Sequence, residues 1–413
     1  MADEGRGHVL AFPQAPEAIE LKQLRAFVAV AEELNFGRAA DRLHISQPAL
    51  SRQVRALEQL LGLELLRRTK HRVELTIAGE ALLDRARRLL DDVDEAVTAT
   101  LAIGGELAGR LAQLWAPLID LASDDADLEE LRQAYERFHA QFSPPEGVAI
   151  LHVNAGGVPA LEFAPDGRGP GRILYLHGGG HAMGSAFGYR PLIGAIAVAA
   201  GTGAVAPEYR LAPEHPFPAA LDDITRNYEW VISSGTRAEE VVVVGDSSGA
   251  GLVMSLLLRL REEKLPLPGG AVLFCPWLDL TGSTLRALVD PSEEVAVLSR
   301  TAAGLAASYL GDHPIDDPVV SPLRADLSGL PPLLVQAATG DAQREDAHQV
   351  TARARAHDVE ARLELYPVET HAFQTFWSFL PEAKEALERA GEFIRAIVGA
   401  EQPSVGRRPS ARA

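Results

Sequence analysis

Val241-Val242-Val243-Val244-Gly245-Asp246-Ser247-Ser248-Gly249-Ala250-Gly251-Leu252 runs from four β-branched residues through a turn of small residues into an apolar segment that continues to Leu260. The pattern reads as a buried strand, a tight turn and a helix. At such a turn the flanking glycines admit a strained backbone and close neighbours, which leaves Ser247 exposed above a sheet as a candidate nucleophile. Gly-x-Ser-x-Gly alone is weak, because glycine-rich turns produce it by chance. The strand before it and the helix after it make it informative.

Working outward, His177-Gly178-Gly179-Gly180 follows the strand-like run Ile173 to Leu176. Backbone N–H groups there can face an acyl oxygen, and a side chain would crowd it. Together with the N–H of Ser248, those of Gly178 and Gly179 are the expected oxyanion donors, each worth about 3 to 4 kcal/mol where such groups have been removed. A flexible loop or a phosphate cradle would also use glycines, but a cradle ends in Gly-Lys-Ser/Thr and this run does not. A serine alcohol needs a base, and the base an orienting carboxylate. In Ser, Asp, His order the chain offers Asp341 after the strand-like run Leu333 to Gln336, and His371 after the run ending near Tyr366. The rivals are His348 and His357 for the base, and Glu345 and Asp346 for the acid, all in a helical stretch.

Further strand-like runs at 148–153, 158–163, 203–206 and 271–274 alternate with helical ones. Continuous apolar runs in the middle of the series suit strands buried on both faces. The expected fold class is α/β, a doubly wound, mostly parallel sheet. Tyr209-Arg210-Leu211-Ala212-Pro213-Glu214-His215-Pro216-Phe217-Pro218-Ala219-Ala220-x-Asp222-Asp223 adds a long, specific run. With the motifs above, residues from about 115 to 398 resemble the hormone-sensitive-lipase-like group of α/β-hydrolases. The family's common elbow has Ala where Ser248 stands, but the contribution expected there is a main-chain N–H. The resemblance implies an α/β-hydrolase that cleaves carboxylic esters, typically with short to medium acyl chains. It would work without metal or organic cofactor, beneath a helical cap drawn from about 112 to 142. The Tyr209 to Asp223 run itself carries no obvious chemistry and is read as shaping the region beside the elbow.

A second, unrelated signature stands near the start: Ala39-Ala40-x-x-Leu43-x-x-Ser46-Gln47-Pro48-Ala49-Leu50-Ser51. Two adjacent alanines allow close helix packing, Ser46 can cap the next helix, and Pro48 fits its first turn. Leu50, Val54, Leu57 and Leu61 share one face of that helix. Two short strands are predicted between Leu65 and Thr76, around Lys70-His71-Arg72. With Leu24, Phe27, Leu57-Glu58, Gly62 and Leu75-Thr76-x-Ala78-Gly79, this stretch resembles the N-terminal domain of LysR-type transcriptional regulators. The resemblance implies an all-α winged helix-turn-helix that puts Gln47, Ser51 and Arg52 into a major groove. Pro48 and Arg55 on the same helix and Arg72 in the wing complete the candidate DNA-binding set. A dimerisation or packing module would also use an alanine-rich three-helix unit, but apolar spacing alone does not call for this polar motif and a basic wing. In that family the next helix pairs two subunits, so residues 79–101 would form a homodimer or higher oligomer on a pseudo-palindromic double-stranded operator. Alternatively the stripe packs on the hydrolase domain.

Charge is consistent with this division. The 413-residue chain has a net charge of −18, which as a uniform surface would repel DNA. From Phe36 to Arg72, however, Arg38, Arg42, Arg52, Arg55, Arg67, Arg68, Lys70 and Arg72 face only Asp41, Glu58 and Glu64. One cysteine, Cys275, excludes an internal disulfide framework and multi-cysteine metal sites. The acidic first residues lack a secretory pattern, and the weakly polar run from Pro191 to Pro207 is broken by glycines, so a cytoplasmic protein with no membrane association is expected. The expected organisation is a flexible lead-in at 1–18, the winged helix at 19–78, a linker helix at 79–111, the hydrolase with its cap at 112–400 and a flexible tail at 401–413. DNA binding fused to ester hydrolysis is the leading functional reading. The alternatives are a ligand-sensing regulator whose hydrolase fold turns over little, or a plain esterase with an adventitious N-terminal fusion.

Overall fold

Two units, Met1–Leu107 and Ala108–Ala413, divide the chain in a computed structural model that describes residues 19–68, 73–121, 127–283 and 293–399. The expected lead-in, the tail and the wing tip Lys70-His71-Arg72 lie outside the described residues.

In the first unit, helices α1 (Leu21–Glu33), α2 (Phe36–Arg42) and α3 (Gln47–Leu61) precede a hairpin of β1 (Leu66–Arg68) and β2 (Val73–Leu75), after which α4 (Ile77–Leu121) begins. Local capping sets the helix starts. Asn35 Oδ1 accepts from the N–H groups of Gly37 and Arg38 at 2.8 and 3.1 Å, and Ser46 Oγ from that of Ala49 at 3.4 Å. Ala39 and Ala40 are buried, as close packing of α2 requires, in a core with Leu24, Phe27, Val30, Leu50, Val54 and Leu57. Leu83, Ala86 and Leu90 of α4 join that core, whereas Leu61 is only half-buried. Other residues that carry the resemblance also have local roles. Glu58 Oε1 accepts from Leu65 and Leu66 N–H at 3.0 and 3.2 Å, and Thr76 Oγ1 accepts from Gly79 N–H at 3.0 Å. A Cβ on Gly79 would lie 2.2 Å from the Leu65 carbonyl oxygen, so only glycine fits there.

Helix α4 departs from expectation. A linker helix over 79–111 with the hydrolase starting at 112 is expected, yet one helix runs from Ile77 to Leu121, straight through Gly104-Gly105, and the compact units part inside it, after Leu107. Glycine in a helix costs only about 1 kcal/mol relative to alanine, and the Ala, Leu and Glu residues around this pair favour the helix.

The second unit starts within α4 and continues with α5 (Leu128–His139), β3 (Val148–Ala155), β4 (Val158–Pro165), β5 (Arg172–Leu176), α6 (Arg190–Ala200), β6 (Gly203–Pro207), α7 (Ala219–Ser233), β7 (Val241–Asp246), α8 (Ser248–Glu262), β8 (Gly270–Phe274), α9 (Glu293–Leu310), β9 (Leu333–Ala338), α10 (Arg344–Ala356), β10 (Ala361–Tyr366) and α11 (Pro381–Val398). Eight strands form one sheet in the order β10-β9-β8-β7-β5-β6-β4-β3. Pairings from β10 across to β6 are parallel, and those of β4 with β6 and β3 are antiparallel. The central runs are buried along their whole length because both faces are covered. Residues of α7, α8, α9 and α10 fill one face, and those of α6 and α11 the other. Edge strand β3 alternates instead. The loops after β7, β9 and β10, which carry Ser247, Asp341 and His371, leave the same carboxyl edge of the parallel strands, where open α/β sheets hold their sites.

Candidate functional site

The elbow is built from strain and close contact. Ser247 has φ 52° and ψ −122°, outside the comfortable range of a residue with a side chain. Its N–H donates to the Phe274 carbonyl at 2.9 Å, and its own carbonyl accepts from Trp277 N–H at 3.0 Å, so β8 and the loop after it grip both sides of the turn. A Cβ on Gly249 would sit 2.1 Å from the Leu176 carbonyl oxygen and 2.4 Å from that of His177. Glycine at this position therefore lets the elbow press against the start of the glycine loop.

His371 bridges the other two candidates. Its Nε2 lies 2.9 Å from Ser247 Oγ, and its Nδ1 lies 2.8 Å from Asp341 Oδ2. Asp341 is buried and also accepts from Gln343 N–H at 2.8 Å. Burial alone would raise its pKa, but the charge and hydrogen bond of His371 and the Gln343 N–H hold it below the usual carboxylate value. Burial alone would lower the pKa of His371; the charge and hydrogen bond of Asp341, with help from Asp246, raise it instead. Two of the rivals are engaged elsewhere. His357 Nδ1 faces the Arg353 carbonyl at 2.9 Å, and Asp346 accepts from the N–H groups of Leu278 and Asp279 at 2.7 and 2.9 Å. Cys275 offers a third ligand atom within 4.8 Å of Asp341 and His371. That set suits an ion pair better than a metal, because the histidine and the carboxylate already satisfy each other, and burial and the Asp341 charge push the thiol well above its usual pKa.

The glycine loop corrects one expectation. The Gly178 N–H donates to Asp246 Oδ1 at 3.0 Å and so is turned away from any acyl oxygen. Among the described residues, the N–H groups of Gly179, Gly180 and Ser248 meet no acceptor. Asp246 also accepts from the hydroxyls of Tyr175 and Tyr189, each at 2.9 Å. Burial pushes its carboxyl up to about 6, against the pull of those two hydroxyls. Tyr189 is in turn 2.6 Å from Tyr135 of α5, hydroxyl to hydroxyl. Sequence spacing gives no sign of these tyrosines. The available signal was an acid at the buried end of four valines, which requires donors. The Tyr209 to Asp223 run has the shaping part expected of it. Tyr209 donates to the His177 carbonyl at 2.6 Å and stacks on its ring, and Arg210 holds Asp223 through two nitrogens at 2.8 and 2.9 Å.

In the first unit, Gln47, Pro48, Arg52 and Arg55 are exposed on α3 and Ser51 is half-exposed, opposite the buried Leu50, Val54 and Leu57. Arg38 and Arg42 pair with Glu33 and Glu32; among the described residues Arg52 and Arg55 have no carboxylate partner. Arg72 lies outside the described residues.

Known proteins match both units. Residues 173–375 match the alpha/beta hydrolase fold, and residues 21–80 match the bacterial regulatory helix-turn-helix proteins of the lysR family. The chain is 34% identical to an acetyl-hydrolase of Streptomyces hygroscopicus over 281 residues, 67% of this chain and 92% of that one. An esterase crystal structure from the bacterial hormone-sensitive lipase family superposes with a TM-score of 0.64 at 36% identity, over 70% of this chain and 98% of that one. The chain belongs to the hormone-sensitive-lipase-like α/β-hydrolases. Its enzyme class is carboxylic ester hydrolase. At the other end, an uncharacterized HTH-type transcriptional regulator of Escherichia coli is 48% identical over 126 residues, 30% of this chain and 42% of that regulator. The first unit is a LysR-type helix-turn-helix domain.

The last turns of α4 and the whole of α5 cover the segment where the helical cap is expected. Trp115 stacks on Phe138 at 4.5 Å between centroids, and its Nε1 donates to Thr370 Oγ1 at 2.8 Å, one residue before His371. No helix among the described residues is long and apolar enough to cross a membrane.

Proposed function

We propose that this chain is a DNA-binding protein and a serine carboxylesterase in one polypeptide. Ser247 Oγ attacks the ester carbonyl as His371 Nε2 takes its proton, and Asp341 keeps the imidazole in the tautomer and orientation that this needs. The tetrahedral oxyanion is held by the N–H groups of Gly179, Gly180 and Ser248; Gly180 replaces Gly178 because the latter serves Asp246. Collapse expels the alcohol, which takes the proton from His371, and leaves an acyl group on Ser247. Water, deprotonated by the same histidine, then releases the acid and regenerates the serine. The observation that carries this reading is the single imidazole within 2.9 Å of the serine and 2.8 Å of the carboxylate. Short to medium acyl esters are the proposed substrates, in keeping with the acetyl-hydrolase named above.

The first unit binds double-stranded DNA through Gln47, Pro48, Ser51, Arg52 and Arg55 of α3, with Arg72 from the wing, and works as a homodimer or higher oligomer on a pseudo-palindromic operator. A protein that reads chromosomal DNA works in the cytoplasm. The paired test uses the purified full chain: hydrolysis of p-nitrophenyl acetate and butyrate, and fluorescence anisotropy on its own promoter fragment. Hydrolysis lost in Ser247→Ala together with sequence-dependent binding supports both halves. Hydrolysis that persists in Ser247→Ala defeats the catalytic half, and binding no tighter than to random DNA defeats the regulatory half.

A further inference from the structure

The glycine loop ends at His181 and Ala182, and this end is tied from several sides. His181 has φ 62°, a left-handed backbone that a β-carbon disfavours. Its N–H donates to Ser248 Oγ at 3.2 Å, its carbonyl accepts from Ala212 N–H at 3.0 Å, and its ring stacks on Tyr309 with centroids 3.8 Å apart. One residue on, the Ala182 carbonyl accepts from Arg132 Nε at 2.8 Å. The same guanidinium grips both carboxylate oxygens of Glu214 at 2.7 Å and the Ala212 carbonyl at 2.9 Å. The elbow helix, the cap helix α5 and the segment after β6 thus converge on two residues of the loop.

We propose that the Ser248 hydroxyl and Arg132 are positioning residues that aim the Gly179 and Gly180 N–H groups at the oxygen faced by Ser248 N–H. This rests on the esterase reading above. Ser248 then acts twice: its main chain supplies one donor and its side chain ties down the loop that supplies the others. An elbow with alanine in its place lacks that tie, so this chain supports the loop in a way its family's common elbow does not. Arg132 supports the same loop from α5, so the cap and the oxyanion donors are mechanically linked. Hydrogen-bond strength falls steeply with angle, and the demand is sharpest once charge has developed on the oxygen. Poor aim therefore lowers kcat and leaves ground-state binding nearly untouched.

The test compares the full-length chain with Ser248→Ala and Arg132→Lys. Ser248→Ala fits the slot of the buried serine with a smaller side chain and keeps the main-chain N–H, so it folds even if the arginine variant does not. The readouts are kcat and KM on p-nitrophenyl acetate, inhibition by butylboronic acid, which forms a tetrahedral adduct on Ser247, and the pH profile. In Ser248→Ala, kcat is expected to fall about tenfold with KM changed less than about twofold, and boronate affinity to fall by the same factor as kcat. The pH profile is expected to stay in place, since Asp341 and His371 are untouched. The double variant is expected to lose less than the product of the single losses, because both residues hold one loop. The proposal is overturned if the wild-type chain is active and Ser248→Ala matches it in kcat and boronate affinity, or if the loss lies in KM alone. A wild-type chain with no Ser247-dependent hydrolysis overturns the esterase reading, and this proposal with it.

Discussion

The recognition helix of the first unit and the nucleophile elbow of the second show two ways of presenting a functional residue. On α3, Arg52 and Arg55 stand exposed on a helix whose opposite face supplies its stability. The proposed contact with DNA needs these side chains only at the right spacing on the surface, so the surface that works and the core that folds are separate. At the elbow the two are inseparable. Ser247 is strained, Gly249 is pressed against two carbonyls, and Asp246 is buried among tyrosines in order to hold the start of the glycine loop. A charge on a helix tolerates neighbouring change, whereas an alkoxide site depends on atoms from four loops.

The largest expected effect is that of Ser247→Ala. Ester hydrolysis should fall by about 10⁵-fold or more, as when the nucleophile of a triad is removed, while affinity for the promoter stays within about twofold of wild type if charge on α3 sets it. A matching fall in DNA affinity would show that the two functions are not separable in this way. Asp341→Asn comes next, at about 10⁴-fold in kcat, and it also moves the pH profile. His371 is a base only when neutral, so activity declines as pH falls through its pKa. Asp341 raises that pKa above the ordinary histidine value, which places the acid limb of kcat/KM above about 6.5. Removing the charge leaves burial, the largest single influence and opposite in direction, with only the more weakly acting Asp246 against it, so the limb should shift to lower pH. A limb that stays in place would mean that Asp341 does not govern the imidazole.

Arg52→Ala and Arg55→Ala probe the other side of the comparison. Each should weaken promoter binding by roughly tenfold, and a residue that contacts phosphate should also lower the slope of log affinity against log salt by about 1. Hydrolysis should be unchanged. A variant that relaxes sequence preference with no change of slope would identify a base contact instead.

The contrast also explains what could be read from the sequence. The strands of the sheet fall where strand-like runs place them, and the signal is clearest for the central β6, β7, β8 and β9, because a strand buried on both faces leaves a continuous hydrophobic signature. Ser247, Asp341 and His371 could be nominated because each follows such a strand, and the structure brings their side chains together. Gly178 could not be told from Gly180 in this way. Which amide faces the substrate depends on where Asp246 sits, and no spacing rule gives the direction of an N–H. The tie from Ser248 to His181, 67 residues apart, is equally silent, and so is the continuation of α4 past residue 111 to Leu121, because a glycine pair such as Gly104-Gly105 permits a break without imposing one. Pattern conveys which face an element buries; it does not convey how loops lock onto one another.

The smallest expected effect tests whether the two units are stabilised separately. Gly79 and Gly249 meet the same kind of obstacle, since an added Cβ would lie 2.2 Å from the Leu65 oxygen in one case and 2.1 Å from the Leu176 oxygen in the other. Alanine at either position forces a local shift costing about 1 to 3 kcal/mol. The units have distinct cores, that of Phe27 and Leu50 and that of the central strands, so calorimetry should resolve two transitions, with each variant lowering its own. The shifts should differ even at equal cost. A unit of about 100 residues loses about 4 °C or more per kcal/mol, and a much larger one about 2 to 4 °C or less, because melting entropy grows with size. Gly79→Ala should therefore move the first unit's transition further and leave hydrolysis intact, whereas Gly249→Ala should move its transition less and still impair turnover, because its clash falls on the strand that leads into the glycine loop. A single transition lowered by both variants would mean that α4, which spans the boundary, binds the two cores into one cooperative whole.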